Sequence, residues 1–149
     1  TLVLRTCYDQ LFRVISCWLL EKPGVTYPRV MVLTGSPGIG KSTFMGYIAV
    51  RLRQEGKDLI LQRGPSYWSS QGRMMIAHRQ TPPDEKLEDE KYILLADPRG
   101  STEVQAYNRS AGCTVIFTSP RKSNYETVRK ALNPMGIRYV YMPVWSIPE

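Results

Sequence analysis

Histidine is almost absent from this chain, which has one, His78, among 149 residues. A single histidine excludes a metal cluster or a catalytic triad built on histidine side chains. Cysteine is scarce too, and Cys7, Cys17 and Cys113 lack the spacing of metal ligands. Because their number is odd and that spacing is missing, we expect free thiols in a domain of the intracellular type rather than a disulfide framework.

Long hydrophobic runs are missing as well. No stretch approaches the about 20 apolar residues that cross a bilayer, and no signal peptide is visible. We therefore expect no contact with a membrane. The chain starts at Thr1 rather than at a methionine, which is compatible with a leader that has been removed.

Acidic residues are outnumbered, with 13 against 20 lysines and arginines and a net charge of +7. Residues 84–90 alone carry five of the acids, so the remainder is more basic still. A basic surface attracts nucleic acid, but no nucleic-acid-binding motif accompanies the charge. A bound nucleotide and a solvated surface therefore explain it better. The length and the ordinary composition, 42% hydrophobic and 22% charged, suit one domain with a buried core.

The chain does contain a glycine-rich sequence that fits the P-loop pattern G-x-x-x-x-G-K-[ST]. An apolar run at residues 30–33 precedes it and a helical stretch opens at Lys41, which is the strand–turn–helix context of a P-loop. The glycines let backbone N–H groups turn toward phosphate oxygens, and the helix N-terminus adds partial positive charge. Lys41 would reach the β- and γ-phosphates and Ser42 would ligate Mg²⁺. The predicted nucleotide-binding residues of the loop are Gly35, Ser36, Pro37, Gly38, Ile39, Gly40, Lys41, Ser42 and Thr43.

Short apolar runs alternate with stretches of helical spacing along the rest of the chain. This alternation predicts an α/β fold, with a parallel sheet of about five strands and helices on both faces. With the P-loop, it predicts a P-loop NTPase three-layer sandwich of strand order 5-1-4-3-2. The predicted strands are residues 29–33, 57–62, 92–96, 114–118 and 137–142, and the predicted helices are residues 2–20, 41–55, 101–110 and 124–132.

The remaining segments complete one P-loop NTPase domain over residues 1–149. Residues 1–28 are predicted to be an N-terminal helix and linker, and residues 29–149 the nucleotide-binding core. Within that core, residues 64–80 suggest a short hairpin at the sheet margin, and residues 81–90, with two prolines and five acids, an exposed loop. Residues 146–149 match a capping box, which announces a helix that the chain then lacks. We therefore expect a fragment of a longer protein.

Asp97 ends the third predicted strand, at the sheet edge where the P-loop also lies. A carboxylate there is the Walker B acid that serves Mg²⁺; the alternative is a turn residue before Pro98. ATPases of this kind commonly place a second acid directly after the first to polarise the attacking water, and Pro98 stands in that place. Glu103 is the nearest acid downstream and joins Lys41 and Asp97 as a candidate catalytic residue, with a solvated helix start as the alternative.

Two other patterns lie at strand ends. Residues 97–100 spell D-x-x-G, a GTPase switch element, but no Asn-Lys-x-Asp follows a later strand, so guanine specificity is not supported. The turn after the fourth predicted strand carries Ser119 and Arg121, whose hydroxyl and guanidinium suit contact with a γ-phosphate. A plain Ser-Pro turn is the alternative for both.

Three stretches carry a family resemblance: Val-Leu-Thr-Gly-Ser-Pro-Gly-Ile-Gly-Lys-Ser at residues 32–42, Thr-Ser-Pro-Arg-Lys-Ser-Asn-Tyr at 118–125 and Tyr-Met-Pro-Val-Trp-Ser at 141–146. Together they resemble the P-loop domain of the Crinkler effectors of oomycetes and fungi, and the related retrotransposon-hot-spot proteins of trypanosomes look similar. The resemblance runs from about residue 29 to the end of the chain. It implies a nucleoside triphosphatase module inside a secreted, host-directed effector, often targeted to the host nucleus.

These patterns lead to three hypotheses of function. The first is a Mg²⁺-dependent ATPase built on Lys41, Ser42 and Asp97, inside an effector that would meet a host protein or nucleic acid through domains outside this chain. The second is a signalling switch that binds ATP or ADP with little turnover, which the missing acid after Asp97 favours. A small-molecule kinase ranks last, because the arginines are scattered rather than gathered in a lid. Oligomer formation is left open.

Overall fold

The computed structural model describes residues 6–21, 29–79, 84–99, 113–120 and 137–143. These residues form an α/β fold with a mixed sheet of seven strands. The helices predicted at residues 101–110 and 124–132 and the capping box lie outside the described residues. The described helices are α1 (Thr6–Leu20), α2 (Lys41–Gln54) and α3 (Asp84–Leu87), and the strands are β1 (Arg29–Thr34), β2 (Asp58–Arg63), β3 (Ser66–Gln71), β4 (Met74–His78), β5 (Tyr92–Asp97), β6 (Cys113–Phe117) and β7 (Ile137–Tyr141).

The strands lie side by side in the order β4-β3-β2-β5-β6-β1-β7. Five of them, β7, β1, β6, β5 and β2, are parallel and have the relative order that the sequence predicts. A parallel sheet of about five strands is wrong for the sheet as a whole, because β2–β3 and β3–β4 are antiparallel pairs. Two-residue turns join these strands, and such short turns can join only antiparallel neighbours. The hairpin predicted within residues 64–80 is confirmed.

Both faces of the sheet are apolar, which explains why the central strands read as continuous hydrophobic runs. Alternate residues of β1 point to opposite faces: Leu33 packs with α1 and α2, and Val32 joins the cluster on the other side. On the helix side, the ring of Phe44 in α2 lies 4.9 Å from that of Tyr8 in α1 and 6.3 Å from that of Phe117 in β6. This aromatic contact fixes the first turn of α2 against the sheet.

The acidic segment departs from its prediction. Residues 84–87 were expected in an exposed loop, and instead they form α3, whose Leu87 is 5% exposed. Leu87 packs in the cluster on the sheet face opposite α1 and α2, together with Val30 and Leu94. The free energy gained by burying Leu87 holds this acidic segment against the sheet. The burial costs little, because the neighbouring side chains of Glu85 and Glu88 remain exposed to water.

The described cysteines are unpaired, as the sequence predicts. Cys7, Cys17 and Cys113 are free thiols. Burial raises the pKa of the Cys113 thiol, and the positive charge of Arg29 opposes part of this rise. Within the described ranges, the helices lack the combination of length and apolar character that crossing a membrane requires.

Candidate functional site

The predicted P-loop connects the carboxyl end of β1 to the first turn of α2. Gly40 is the N-cap residue of α2 and lies in the left-handed region, with a φ of 91°, where other residues are strained. Its lack of a side chain leaves the first N–H groups of α2 without a side-chain cap. Ser36, Pro37 and Gly38 form the exposed tip, whereas Ile39 is buried in the core and anchors the loop. An anion at the tip would therefore meet backbone N–H groups and the positive end of a helix.

Lys41 lies over the mouth of this loop. Its Nζ donates hydrogen bonds to the carbonyl oxygens of Gly35 and Ser36, each at 2.8 Å. Burial lowers the pKa of the Lys41 ammonium below its ordinary value of 10.5, and the negative charge of Asp97 opposes part of this shift. Thr43 is exposed to solvent. The ammonium is thus held by two backbone carbonyls, one exposed and one partly buried, and phosphate oxygens would offer it an alternative to them.

Asp97 meets the first turn of α2 as the sequence predicts. The hydroxyl of Ser42 donates to Asp97 Oδ2 at 2.7 Å, although the two residues are 55 positions apart. Asp97 ends β5 and is 7% exposed, and its backbone carbonyl accepts a hydrogen bond from Gly64 N at 2.9 Å. A hydroxyl oxygen and a carboxylate oxygen in contact are hard donors of the type that Mg²⁺ prefers. The donor set therefore fits the predicted metal.

Ser119 lies at the same edge of the sheet, two residues beyond β6. β6 is the strand between β1 and β5, and the backbone N–H of Thr118 donates to the carbonyl of Leu33 at 3.0 Å. This hydrogen bond keeps the turn beside the strand that leads into the predicted P-loop. Two predicted site residues lie outside the described residues, Glu103 and Arg121. The structure thus brings together Lys41, Ser42 and Asp97, with Ser119 on the neighbouring strand end.

Two described residues of the site have no counterpart in the sequence-based predictions. Arg99 Nε lies 3.5 Å from Asp97 Oδ2, and the hydroxyl of Tyr8 donates to the carbonyl of Gly40 at 3.3 Å. A signal exists for Arg99, since it follows a strand-end acid by two residues. The contact of Tyr8 with Gly40 spans 32 positions and leaves no local signature. Two cations and one carboxylate meet here, and this excess of positive charge suits a polyanion.

Gly35→Ala is expected to destabilise the fold, because an alanine Cβ at this position would lie 2.5 Å from Ile39 Cδ1 and 3.0 Å from the backbone oxygen of Met142. Relieving this overlap requires the buried side chain of Ile39 to move within the core and the backbone at Met142 to give slightly, so we expect a loss of about 1–3 kcal/mol of unfolding free energy. Gly46→Ala, inside α2 and facing open space, is the matched control and should gain about 0.5–1 kcal/mol. Denaturant unfolding measures both. Equal stabilities of the two variants would contradict the packing of the loop.

Two curated proteins of Phytophthora infestans are similar in sequence to this chain, Crinkler effector protein 15 and Crinkler effector protein 16. Each is 26% identical over 140 residues, which make up 93% of this chain and 22% of the relative. The chain therefore spans about a fifth of the length of the curated relatives it matches.

No protein-family model matches the chain. Among solved structures, a chain of the E. coli MS115-1 HORMA:CdnC:Trip13 complex aligns with a TM-score of 0.40 and 16% identity, over 92% of this chain and 62% of that chain. A TM-score of 0.40 is too low to support an inference about fold or function. What the comparisons establish is sequence similarity to Crinkler effectors over nearly the whole chain.

Proposed function

We propose that this chain is a P-loop module of a Crinkler-like effector, which binds Mg-ATP and hydrolyses it slowly. The observation that carries the proposal is the 2.7 Å contact between Ser42 and Asp97, next to a lysine held over a glycine-rich loop. In this proposal the sheet is the centre of a P-loop NTPase three-layer sandwich. α1 and α2 cover one face, and the helices predicted outside the described residues would cover the other.

Each residue of the site would act through atoms that the fold already positions. The backbone N–H groups of the loop and of the first turn of α2 would hold the phosphates. Lys41 would exchange its carbonyl partners for the β- and γ-phosphate oxygens. Ser42 and Asp97 would hold Mg²⁺, which supplies positive charge to the phosphates when it is bound. Phosphate oxygens and water would complete the coordination of the metal.

Hydrolysis has less support than nucleotide binding, and this favours the alternative function, a nucleotide-binding switch. Pro98, which follows Asp97, is buried and has no group that accepts a proton, and the next residue is the cation Arg99. No side chain directly after Asp97 can therefore orient or deprotonate the attacking water. The same observation supports a switch that binds ATP or ADP and changes partners with little turnover. Both functions require the same nucleotide site.

The test of the proposal is calorimetric titration of the chain with Mg-ATP, Mg-ADP and Mg-GTP, followed by phosphate release from the same sample. Saturable binding of Mg-ATP with a stoichiometry of one supports the module, and phosphate release then separates the ATPase from the switch. The absence of binding of all three nucleotides by the folded chain would overturn the proposal.

The affinity for nucleotide is expected to fall as the pH rises through the pKa of Lys41. The charged ammonium is the form that binds phosphate, so affinity stays level below that pKa and decreases above it. Because burial lowers the pKa, the decrease begins at a lower pH than for an ordinary lysine. Titration with metal-free ATP in alkaline buffers measures the effect. Lys41→Arg, which stays charged, should lack this decrease; parallel curves for the two proteins would contradict the assignment.

Turnover by the isolated chain is expected to stay well below about one per second, the low end of typical enzyme rates. The reason is that Pro98, which follows Asp97, has no group that could orient or deprotonate the attacking water. Phosphate release with and without Glu103→Gln measures the rate and its source: loss of the residual activity assigns the water-orienting role to Glu103, and retention excludes it. Rapid hydrolysis that is insensitive to Glu103→Gln would contradict our interpretation of the catalytic half of the site.

The cellular role belongs to the same proposal. Similarity to two Crinkler effectors is consistent with a secreted, host-directed protein, and the proposal extends this location to the host nucleus. Contacts with a host protein or with nucleic acid would involve parts of a longer protein. Expression of a tagged full-length protein in host cells, followed by fractionation, tests this location.

A further inference from the structure

Arg99 shares one carboxylate oxygen with the proposed metal site. Asp97 Oδ2 accepts the hydrogen bond of Ser42 at 2.7 Å and lies 3.5 Å from Arg99 Nε. The Asp97 side chain is 10% exposed, whereas that of Arg99 is 54% exposed. The carboxylate is therefore fixed and largely shielded, and the cation beside it reaches into solvent.

This contact compensates the charge of Asp97 in the absence of a metal. A largely buried carboxylate is costly unless a positive charge or hydrogen-bond donors balance it. Lys41 contributes through space, and Arg99 contributes by direct contact. A divalent cation that approaches Asp97 would meet the positive charge of both side chains. Mg²⁺ and the Arg99 guanidinium therefore compete for the same oxygen.

The backbone of Arg99 is held while its guanidinium is not buried. Pro98, with its fixed φ, leads the chain to Arg99, and the turn after β2 packs close by, since a Cβ on Gly64 would lie 3.8 Å from that of Arg99. Gly64 N also donates to the carbonyl of Asp97 at 2.9 Å. When the guanidinium leaves Asp97, it therefore stays at the mouth of the same site. Its planar fork matches phosphate oxygens.

We propose that Arg99 is an internal counter-ion of Asp97, which Mg²⁺ displaces when a Mg-nucleotide binds, and that the displaced guanidinium then contacts the phosphates. The inference rests on the proposed function of the site. It names the ligand class as a nucleotide with its metal, because the combined ligand offers both a cation for Asp97 and oxygens for Arg99, and a triphosphate adds a third phosphate that a diphosphate lacks. Arg99 thus couples the occupancy of the metal to that of the nucleotide, and it favours ATP over ADP.

The test compares the wild-type chain with Arg99→Gln in two measurements, the Mg²⁺ concentration that half-saturates binding at fixed ATP and the ratio of affinities for Mg-ATP and Mg-ADP. Removing the competitor should lower the half-saturating Mg²⁺ concentration by about threefold, the size expected for a partly exposed ion pair. Removing the phosphate contact should lower the ATP-over-ADP ratio by about tenfold, the size expected for a charged hydrogen bond. A purely structural role would not make Mg²⁺ bind better while ATP binds worse.

Two further variants separate the possible outcomes. Arg73→Gln is the charge-matched control, because Arg73 is exposed in the β3–β4 turn at the opposite edge of the sheet. Arg99→Lys keeps the charge but loses the fork, so the Mg²⁺ value should stay near wild type while the ATP-over-ADP ratio falls; it also replaces Arg99→Gln if that variant fails to fold. Nucleotide binding by the wild type with both values unchanged in Arg99→Gln overturns this inference alone. A wild type that binds no nucleotide overturns the proposed function, and this inference with it.

Discussion

Lys41→Ala is expected to weaken Mg-ATP binding by about tenfold or more, using about 1.5–3 kcal/mol for a hydrogen bond to a charged group. The ammonium is the mobile charge that the loop presents, and its present partners are the carbonyls of Gly35 and Ser36. Both carbonyls lie near the solvent-exposed tip, so water can replace the lysine there and the loop should keep its conformation. Calorimetric titration of the wild type and the variant measures the loss.

The control must separate local contact from the attraction of any anion to a chain of net charge +7. Lys57→Ala removes the same charge from an exposed lysine beyond the far end of α2, roughly 20 Å away at 1.5 Å per helical residue. It should leave the affinity within about twofold of wild type, because charges at that distance are screened by salt. If folded Lys41→Ala keeps wild-type affinity, or if both variants lose the same amount, the phosphate site is not where we place it.

The features that could be predicted from the sequence are those encoded locally. The glycine-rich loop is marked by the order of its glycines, and the strand before it and the helix after it have their own periodicities. The prediction of a strand at residues 29–33 and of a helix at 41–55 therefore differs from β1 and α2 by one residue each. The order of the parallel strands followed from the same motif.

The features that were missed depend on distant contacts. Leu87 is the apolar residue of an acidic run, and its packing site is the apolar sheet face opposite α1 and α2. Tyr8 reaches the loop because α1 packs against α2, which no pattern near either residue encodes. Arg99 is close to Asp97 in sequence, but their contact depends on the direction of the chain after Pro98. The direction of a side chain after a strand end depends on tertiary packing, which a local sequence pattern does not encode.

The contact between Ser42 and Asp97 links the two kinds of feature. The glycine-rich loop is a local motif, whereas the predicted Walker B acid is identified in the sequence only by its place at the end of an apolar strand. The strand order put β5 within reach of the first turn of α2, and the 2.7 Å hydrogen bond agrees with that placement. Whether the pair serves a metal is the prediction with the clearest consequence for activity.

Asp97→Asn is expected to abolish hydrolysis and most of the gain in ATP affinity that Mg²⁺ provides. Asparagine keeps the shape and an oxygen that can accept from Ser42, but it removes the negative charge that pairs with the metal. The loss leaves Lys41 and Arg99 without a carboxylate between them, so the site becomes more positive. Metal-free ATP should therefore bind the variant at least as well as the wild type. Titrations with Mg²⁺ and with a chelator, together with phosphate release, measure these changes.

The direction of the two effects makes this prediction specific to a metal ligand. A carboxylate with a purely structural role would, when replaced, weaken binding with and without Mg²⁺ alike and lower the stability of the fold. Glu55→Gln is the control, because it makes the same chemical change at an exposed position at the far end of α2. It should alter neither the Mg²⁺ dependence nor the rate. Hydrolysis at the wild-type rate by Asp97→Asn would reduce Asp97 to the residue that ends β5, and the metal would have to be held by other groups.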